Sequence, residues 1–242
     1  MRVDGALLRL WEEGRGRAPV ERALLLAQRG APEASAERLL GLSIGQRDRL
    51  ILELRRRLAG EALECQATCP GCGIPIAFTA QAGAIASLGP SGAAPDTVTF
   101  EADGREVTAR APTSSDLLAL GEALAGEDAE QRLAGRCILR LDGSAVPDGE
   151  TGLTPALLAG LNHHLNAIDP LGNLTVGLEC PSCARAWDMP LDIASFLWHE
   201  LERAIRELLR EVHWIASAYG WPEADILELG DRRRIYLDLI GA

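Results

Sequence analysis

The chain has 242 residues, is 47% hydrophobic and carries a formal net charge of -11, with an isoelectric point near 4.9. That apolar content is enough for a folded core. The acidic balance argues against a general nucleic-acid or anionic-membrane binder, which needs a net basic surface, and no run approaches the roughly 18 uninterrupted apolar residues of a membrane span, so no membrane insertion is expected.

The first residues, MRVDGALLRLWEEG, include an early acid and no small-residue cleavage site after an apolar core. They do not read as a signal peptide, and the expected compartment is the cytoplasm. The first sixty residues read as helical. Leu7, Leu8, Leu10 and Trp11 form an apolar patch, GRGRAP interrupts it, and Pro19 suits the first turn of a second helix carrying Ala23 to Leu26. Ser43 with Gln46 has capping-box spacing, and Leu50, Ile51, Leu54 and Leu58 follow a helical period up to Gly60.

The pattern then changes. Residues 61–79 read as strand, knuckle and strand, and AQAGAIASLGPSGAAP reads as an irregular loop. VTFEADGREVTARAP alternates about Asp103-Gly104, a hairpin signal. Thr113 to Asp116 caps a helix through Leu120, a second helix covers Glu130 to Leu139, and a third runs from Pro155 to Ile168, before Asp169-Pro170. LGNLTVGLE gives a strand into a second knuckle. A long helix follows from about Asp192 to Tyr219, with Leu197, Leu201, Ile205, Leu208, Val212, Ile215 and Tyr219 on one continuous buried stripe. After Gly220 a short helix begins near Pro222, and Asp231 is placed to cap a last helix through Ile235, Leu239 and Ile240.

The two knuckles are CPGC and CPSC, supplying Cys69, Cys72, Cys180 and Cys183. Two C-x-x-C turns provide the four thiolates of a closed tetrahedral zinc site. The 107 residues from Gly73 to Glu179 separate them; closure entropy grows only logarithmically with such a length, so one shared zinc remains feasible. A thioredoxin-like redox pair needs a βαβ context that neither copy has, and two unmetallated pairs are the remaining alternative. Four thiolates leave no open coordination position, so the zinc is structural and the chain is expected not to be an enzyme. Cys65 reads as a strand residue and Cys137 as a buried thiol.

The other candidates are weaker. His163 and His164 read as a solvated pair on a helix, and His199 and His213 as core or interface residues. None of the four has metal-ligand spacing, so a metalloenzyme is disfavoured. Trp187, Trp198, Trp214, Tyr219, Trp221 and Tyr236 cluster in the last part of the chain, near Arg232, Arg233 and Arg234. Trp, Tyr and Arg are enriched at protein interfaces, which makes Trp214, Tyr219, Trp221, Arg232, Arg233 and Tyr236 the candidate partner-binding residues.

FLWHELERAIRELLREVHWIASAYGWPEADILELGDRRRIYLDLI, with LSIGQRDRLILELRRRLAG before the first knuckle and ARAPTSSDLLAL after it, resembles base-plate proteins of contractile-tailed bacteriophages and related contractile injection systems. The matching positions include His213, Trp214, Ala216, Tyr219, Gly220, Trp221, Glu223, Ile226, Leu227, Arg232, Arg233, Tyr236 and Leu237. The resemblance spans about Leu42 to Ile240 and brings no catalytic residue with it. It implies a structural subunit of the tail base plate or its assembly apparatus, with other base-plate and tail-hub proteins as partners. Such a subunit is made in the bacterial cytoplasm and incorporated in a phage tail or injection particle.

The expected architecture is α+β: helical arms at 1–60 and 191–242 flank a four-cysteine zinc ribbon at 61–190 that carries a long β-hairpin/helix insertion. The alternative is a zinc-ribbon nucleic-acid or transcription adaptor, although only Arg185 places a base beside the knuckles.

Overall fold

The computed structural model describes residues 3–88, 97–126, 128–146 and 153–241. Helix α1 (Gly5–Gly14) is capped by Asp4, whose carboxylate accepts the backbone N–H of Ala6 and Leu7. Helix α2 (Pro19–Gly30) starts with proline in its first turn, where a missing N–H costs no internal bond. Helix α3 (Ala36–Gly41) is too short for an apolar period to announce it; Ser35 caps it by accepting the Arg38 N–H. Helix α4 (Ile44–Ala59) has the expected reciprocal Ser43–Gln46 cap and stops at Gly60, where φ is +81°.

Strands β1 (Ala62–Thr68) and β2 (Pro75–Gln81) form an antiparallel hairpin around the first knuckle. Leu63, Cys65 and Ala67 alternate inward on β1, so Cys65 is a strand residue facing the core. A short helix, α5 (Ala82–Ala86), occupies the start of the stretch expected to be a loop. Residues 89–95 of that expected loop lie outside the described residues.

The insertion is more extensive than a hairpin. Strands β3 (Val98–Ala102) and β4 (Arg105–Ala109) turn at Asp103-Gly104, where φ is +55° and +71°. That is the left-handed pair a two-residue primed turn requires. Strands β5 (Ile138–Leu141) and β6 (Ser144–Ala145) extend the sheet in the order β3-β4-β5-β6, with a second Asp-Gly turn at Asp142-Gly143. Helices α6 (Ser114–Leu120), α7 (Ala129–Cys137) and α8 (Pro155–Ile168) complete the insertion. Helix α7 stops short of the expected Leu139 because Ile138 already pairs in the sheet.

Strands β7 (Thr175–Glu179) and β8 (Ala186–Pro190) frame the second knuckle. The chain ends with α9 (Ile193–Tyr219), α10 (Glu223–Glu228) and α11 (Arg233–Ile240). Asp192 caps α9 through the Ser195 N–H, and Gly220 closes it in the left-handed region. Asp231 does not cap the last helix. It lies within a 3₁₀ turn, Gly230–Arg232, that leads directly into α11. The fold is therefore mixed helix and sheet, and among the described residues no helix is long and apolar enough to cross a membrane.

Apolar burial falls into three clusters. The first joins α1, α2, α4, the β1–β2 hairpin and the first half of α9, around Leu26, Ile51, Leu63, Leu197 and Leu201. The second lies inside the insertion, around Phe100, Val107, Ile138 and Leu161. The third joins the second half of α9 to α10 and α11 through Leu208, Ile215, Ile226 and Leu237. The sequence pattern puts Ile235 and Leu239 on the last helix's apolar face, but they are 59% and 71% exposed, because α11 turns Leu237 toward α9 instead.

Polar contacts tie the insertion to the start of α4 twice, once between β4 and α6 and once where the chain returns. The Ile44 N–H donates to the Pro112 carbonyl at 3.0 Å, and buried Arg47 donates to the Ser114 hydroxyl at 3.2 Å. On the return, Asp169 accepts the Gly45 N–H at 3.0 Å. Position 45 must be glycine, because a Cβ there would sit 2.1 Å from an Asp169 oxygen. Arg47 is also paired with buried Asp48 at 2.7 Å, yet burial outweighs the pairing and pushes the Asp48 carboxyl up to about 6.

Asp116 has the opposite balance. Burial raises its pKa, but Arg110, at 2.6 and 2.9 Å, and the Thr113 N–H hold the group down at about 2. Because that lies below the unfolded value, Asp116 stabilises the fold fully above about pH 4 and loses that effect as pH falls toward 2. An Asp116→Asn variant should be less stable than the wild type by about 2 kcal/mol at pH 7 in urea denaturation, with the gap closing near pH 2.

Candidate metal centre

The two knuckles adopt the same backbone bonding despite differing in sequence. In the first, the Cys69 N–H donates to the Ile74 carbonyl and the Gly73 N–H to the Cys69 carbonyl, each at 2.9 Å. In the second, Cys180 donates to Arg185 and Ala184 donates back to Cys180, again at 2.9 Å. The residue after the second cysteine is left-handed in both, with φ +76° at Gly73 and +54° at Ala184. Glycine adopts that conformation freely, whereas alanine there is strained. Gly71 has a different role. A Cβ at position 71 would lie 2.9 Å from Arg185 Cδ and 3.4 Å from the Cys183 sulfur, so it lets the second knuckle close in.

This closeness brings together the four cysteines that the sequence singled out. Cys69 and Cys183 sulfurs are 3.7 Å apart, Cys72 and Cys180 sulfurs 3.6 Å, and all four lie within 4.8 Å of one another. These distances exceed the about 2.05 Å of a disulfide, and all four thiols are free. They match the edge of about 3.8 Å expected when four thiolates surround one metal at about 2.3 Å. Cys69 and Cys180 are buried, while Cys72 and Cys183 are exposed.

The electrostatics of the group are uneven. Burial acts to raise the Cys69 pKa, but the N–H groups of Cys72 and Gly71 and the facing sulfurs bring it down to about 6. Cys72 receives a favourable N–H from Ile74, yet burial and the neighbouring sulfurs push it up to about 12. One thiolate thus forms readily and discourages the next, a balance that a cation among the sulfurs reverses.

The chain matches no family model, no curated protein and no solved structure.

The remaining cysteines stay apart from the centre. Cys65 faces the first core, and burial pushes the Cys137 thiol up to about 12 at the end of α7. Among the described residues no second group of histidine, cysteine or acidic side chains gathers at metal-binding distance. His164 stacks on Phe100 at 4.3 Å between ring centres, with His163 edge-on to it. His199 and His213 are exposed on α9, so neither is a core residue.

One contact that the sequence did not reveal holds the centre to the helices. Arg55, almost fully buried on α4, donates to both carboxylate oxygens of Glu200 on α9 at 3.1 Å and to the carbonyls of Gly60 and Ala62 at the entrance to β1. An arginine on the apolar stripe of α4 is the signal that could have found it. The sequence also gives no sign of Ala184 inside the second knuckle, which is marked only once Gly73 at the equivalent place is known to be left-handed.

The candidate partner residues lie in the C-terminal lobe. Tyr219, Trp221 and Tyr236 form one cluster, with ring centres 5.0 to 5.7 Å apart. Arg233 is turned inward, donating to Glu211 at 3.0 Å and to the Leu227 carbonyl, and so ties α11 to α9 and α10. Arg232 is exposed, and its Nε–H donates to the Leu229 carbonyl at 3.4 Å. Trp214 and Tyr219 are 44% and 37% exposed, so Tyr219 leaves the buried stripe expected of α9 and packs on Trp221 and Tyr236 instead.

Two outcomes test the centre. Replacing Ala184 with glycine should relieve the left-handed strain and raise stability by about 1 kcal/mol in urea unfolding of the metal-loaded protein. A Cys180→Ser variant should lose tight metal binding by mass-spectrometric metal analysis and unfold cooperatively at lower denaturant, since a closed structural metal site contributes on the order of 10 kcal/mol.

Proposed function

We propose that this chain is a zinc-stapled structural subunit that docks neighbouring proteins through its helical arms. In this reading it is a component of the base plate or tail-assembly apparatus of a contractile phage tail or contractile injection system. It would be made in the bacterial cytoplasm and carried into the particle, with other base-plate and tail-hub proteins as its partners.

The observation that carries the reading is a set of exposed apolar side chains in the C-terminal lobe, at the far end of α9 from four clustered sulfurs. Trp214, Tyr219, Ile235 and Leu239 are exposed on α9 and α11, while the four sulfurs face one another and leave no position for a substrate. Exposed aromatic and aliphatic residues in one lobe fit protein docking better than chemistry. The likeness of the C-terminal segment to base-plate proteins supplies the assembly. Zinc is the metal proposed, because thiolates at tetrahedral spacing suit it and it brings no redox chemistry. The two knuckles with their flanking hairpins then form the zinc ribbon, and residues 98–168 are its insertion.

Particles purified from a host carrying the gene should contain the protein, and deleting the gene should leave tails or injection particles without a contraction-competent base plate by electron microscopy. Normal assembly in the deletion strain overturns the reading. A paired Trp214→Ala and Leu239→Ser variant should fold with an unchanged melting temperature yet fail to enter particles. Metal analysis of the purified chain should give one zinc per chain, and iron in its place overturns the metal assignment.

A further inference from the structure

We propose that the four-cysteine centre is a staple with two chemical forms: a thiolate–metal form under reducing conditions, and a pair of disulfides crossing between the knuckles, Cys72–Cys180 and Cys69–Cys183, under peroxide. The inference rests on the reading that the four thiolates hold one metal.

The geometry favours crossing. All four sulfurs lie within 4.8 Å of one another, and the two pairs in hydrogen-bonding geometry both join the knuckles, Cys72 with Cys180 at 3.6 Å and Cys69 with Cys183 at 3.7 Å. Each of these pairs also combines one exposed and one buried sulfur. A peroxide from solvent therefore meets Cys72 or Cys183 first, and the sulfur facing each of them is a sheltered one on the other knuckle. Within the first knuckle, the Gly71 N–H donates to the Cys69 sulfur at 3.3 Å and holds it against its own turn. Gly71 at the contact leaves the two turns free to close the remaining distance to a disulfide.

The chemistry balances with peroxide as the oxidant. The Cys72 thiolate attacks one peroxide oxygen, the O–O bond breaks, and hydroxide leaves to be protonated as water. The sulfenic acid so formed is attacked by the Cys180 thiolate. The S–S bond forms, the S–O bond breaks, and a second hydroxide departs as water. Each disulfide oxidises two sulfurs and consumes one peroxide. The Cys183–Cys69 pair repeats the sequence from its own exposed sulfur. With all four sulfurs bonded to one another, the knuckles offer no thiolate and release the metal.

The pairing decides the structural outcome. Crossed disulfides link positions 108 and 114 residues apart and keep the β1–β2 and β7–β8 hairpins joined after the metal has gone. Disulfides within each knuckle would close two short turns and let the hairpins separate.

The test uses the full chain, with Cys65→Ser and Cys137→Ser removing the two core thiols, dialysed against zinc and assayed for bound metal before hydrogen peroxide is added. Zinc release is followed with a chromogenic chelator, and disulfides are mapped by mass spectrometry of unreduced peptides. The expected result is two peroxides consumed per zinc released, with Cys72–Cys180 and Cys69–Cys183 peptides linked. The oxidised protein should keep its cooperative melting in EDTA, where the reduced protein loses it. Retained zinc followed by Cys69–Cys72 and Cys180–Cys183 linkage, or by sulfonic acids in place of disulfides, overturns this proposal alone. A freshly reduced protein that retains no zinc overturns the metal reading itself. If the doubly substituted chain does not fold, the same peptide map on the unsubstituted protein decides between the pairings, because the crossed and in-knuckle peptides differ in mass.

Discussion

Cys69 and Cys183 are separated by 114 positions in the chain, and their sulfurs meet at 3.7 Å. Every segment between them must leave one place and return to it. The insertion satisfies this by folding around its own cluster, with Phe100, Val107, Ile138 and Leu161 inside. It also touches the start of α4 twice, through Pro112 and Ser114 between β4 and α6 and through Asp169 on the way back. A closed excursion of this kind adds little entropic cost with length, so a whole sheet-and-helix unit sits between two halves of one site without pulling them apart.

The helices beneath the site are organised by the same requirement. Arg55 reaches from α4 to Glu200 on α9 while holding the carbonyls that open β1. It therefore fixes the first hairpin relative to the helix that follows the second. The pair is buried, and such pairs are costly to desolvate and costlier to break. Here the donors on Arg55 are also used by backbone carbonyls, which leaves little of the guanidinium unsatisfied.

Much of this is legible in the sequence where a residue type has one physical use. Two C-x-x-C turns, the Ser43–Gln46 and Thr113–Asp116 caps, the Asp103-Gly104 turn and the α9 stripe as far as Ile215 all appear where their chemistry places them. Asp142-Gly143 carries the same turn signal as Asp103-Gly104, but the strands beside it are too short to alternate visibly, so the four-stranded sheet stays hidden. Helix α5 is made almost wholly of small residues with no apolar period to read. The last helix departs from its sequence pattern for a different reason. Leu237 and Tyr236, rather than Ile235 and Leu239, pack toward α9, and a helix of eight residues has too few turns for its pattern to choose between faces.

Helix α9 runs unbroken for 27 residues, a length of about 40 Å at 1.5 Å per residue. Its first half belongs to the core that carries the cysteine hairpins, and its second half to the lobe with the exposed aromatic residues. The helix is thus a ruler between the end that carries the four cysteines and the end with the exposed aromatic residues. A single residue inserted near its middle, between Ile205 and Leu208, would lengthen it by only about 1.5 Å but swing the far lobe by about 100°. The orientation of one end relative to the other is set by a count of residues.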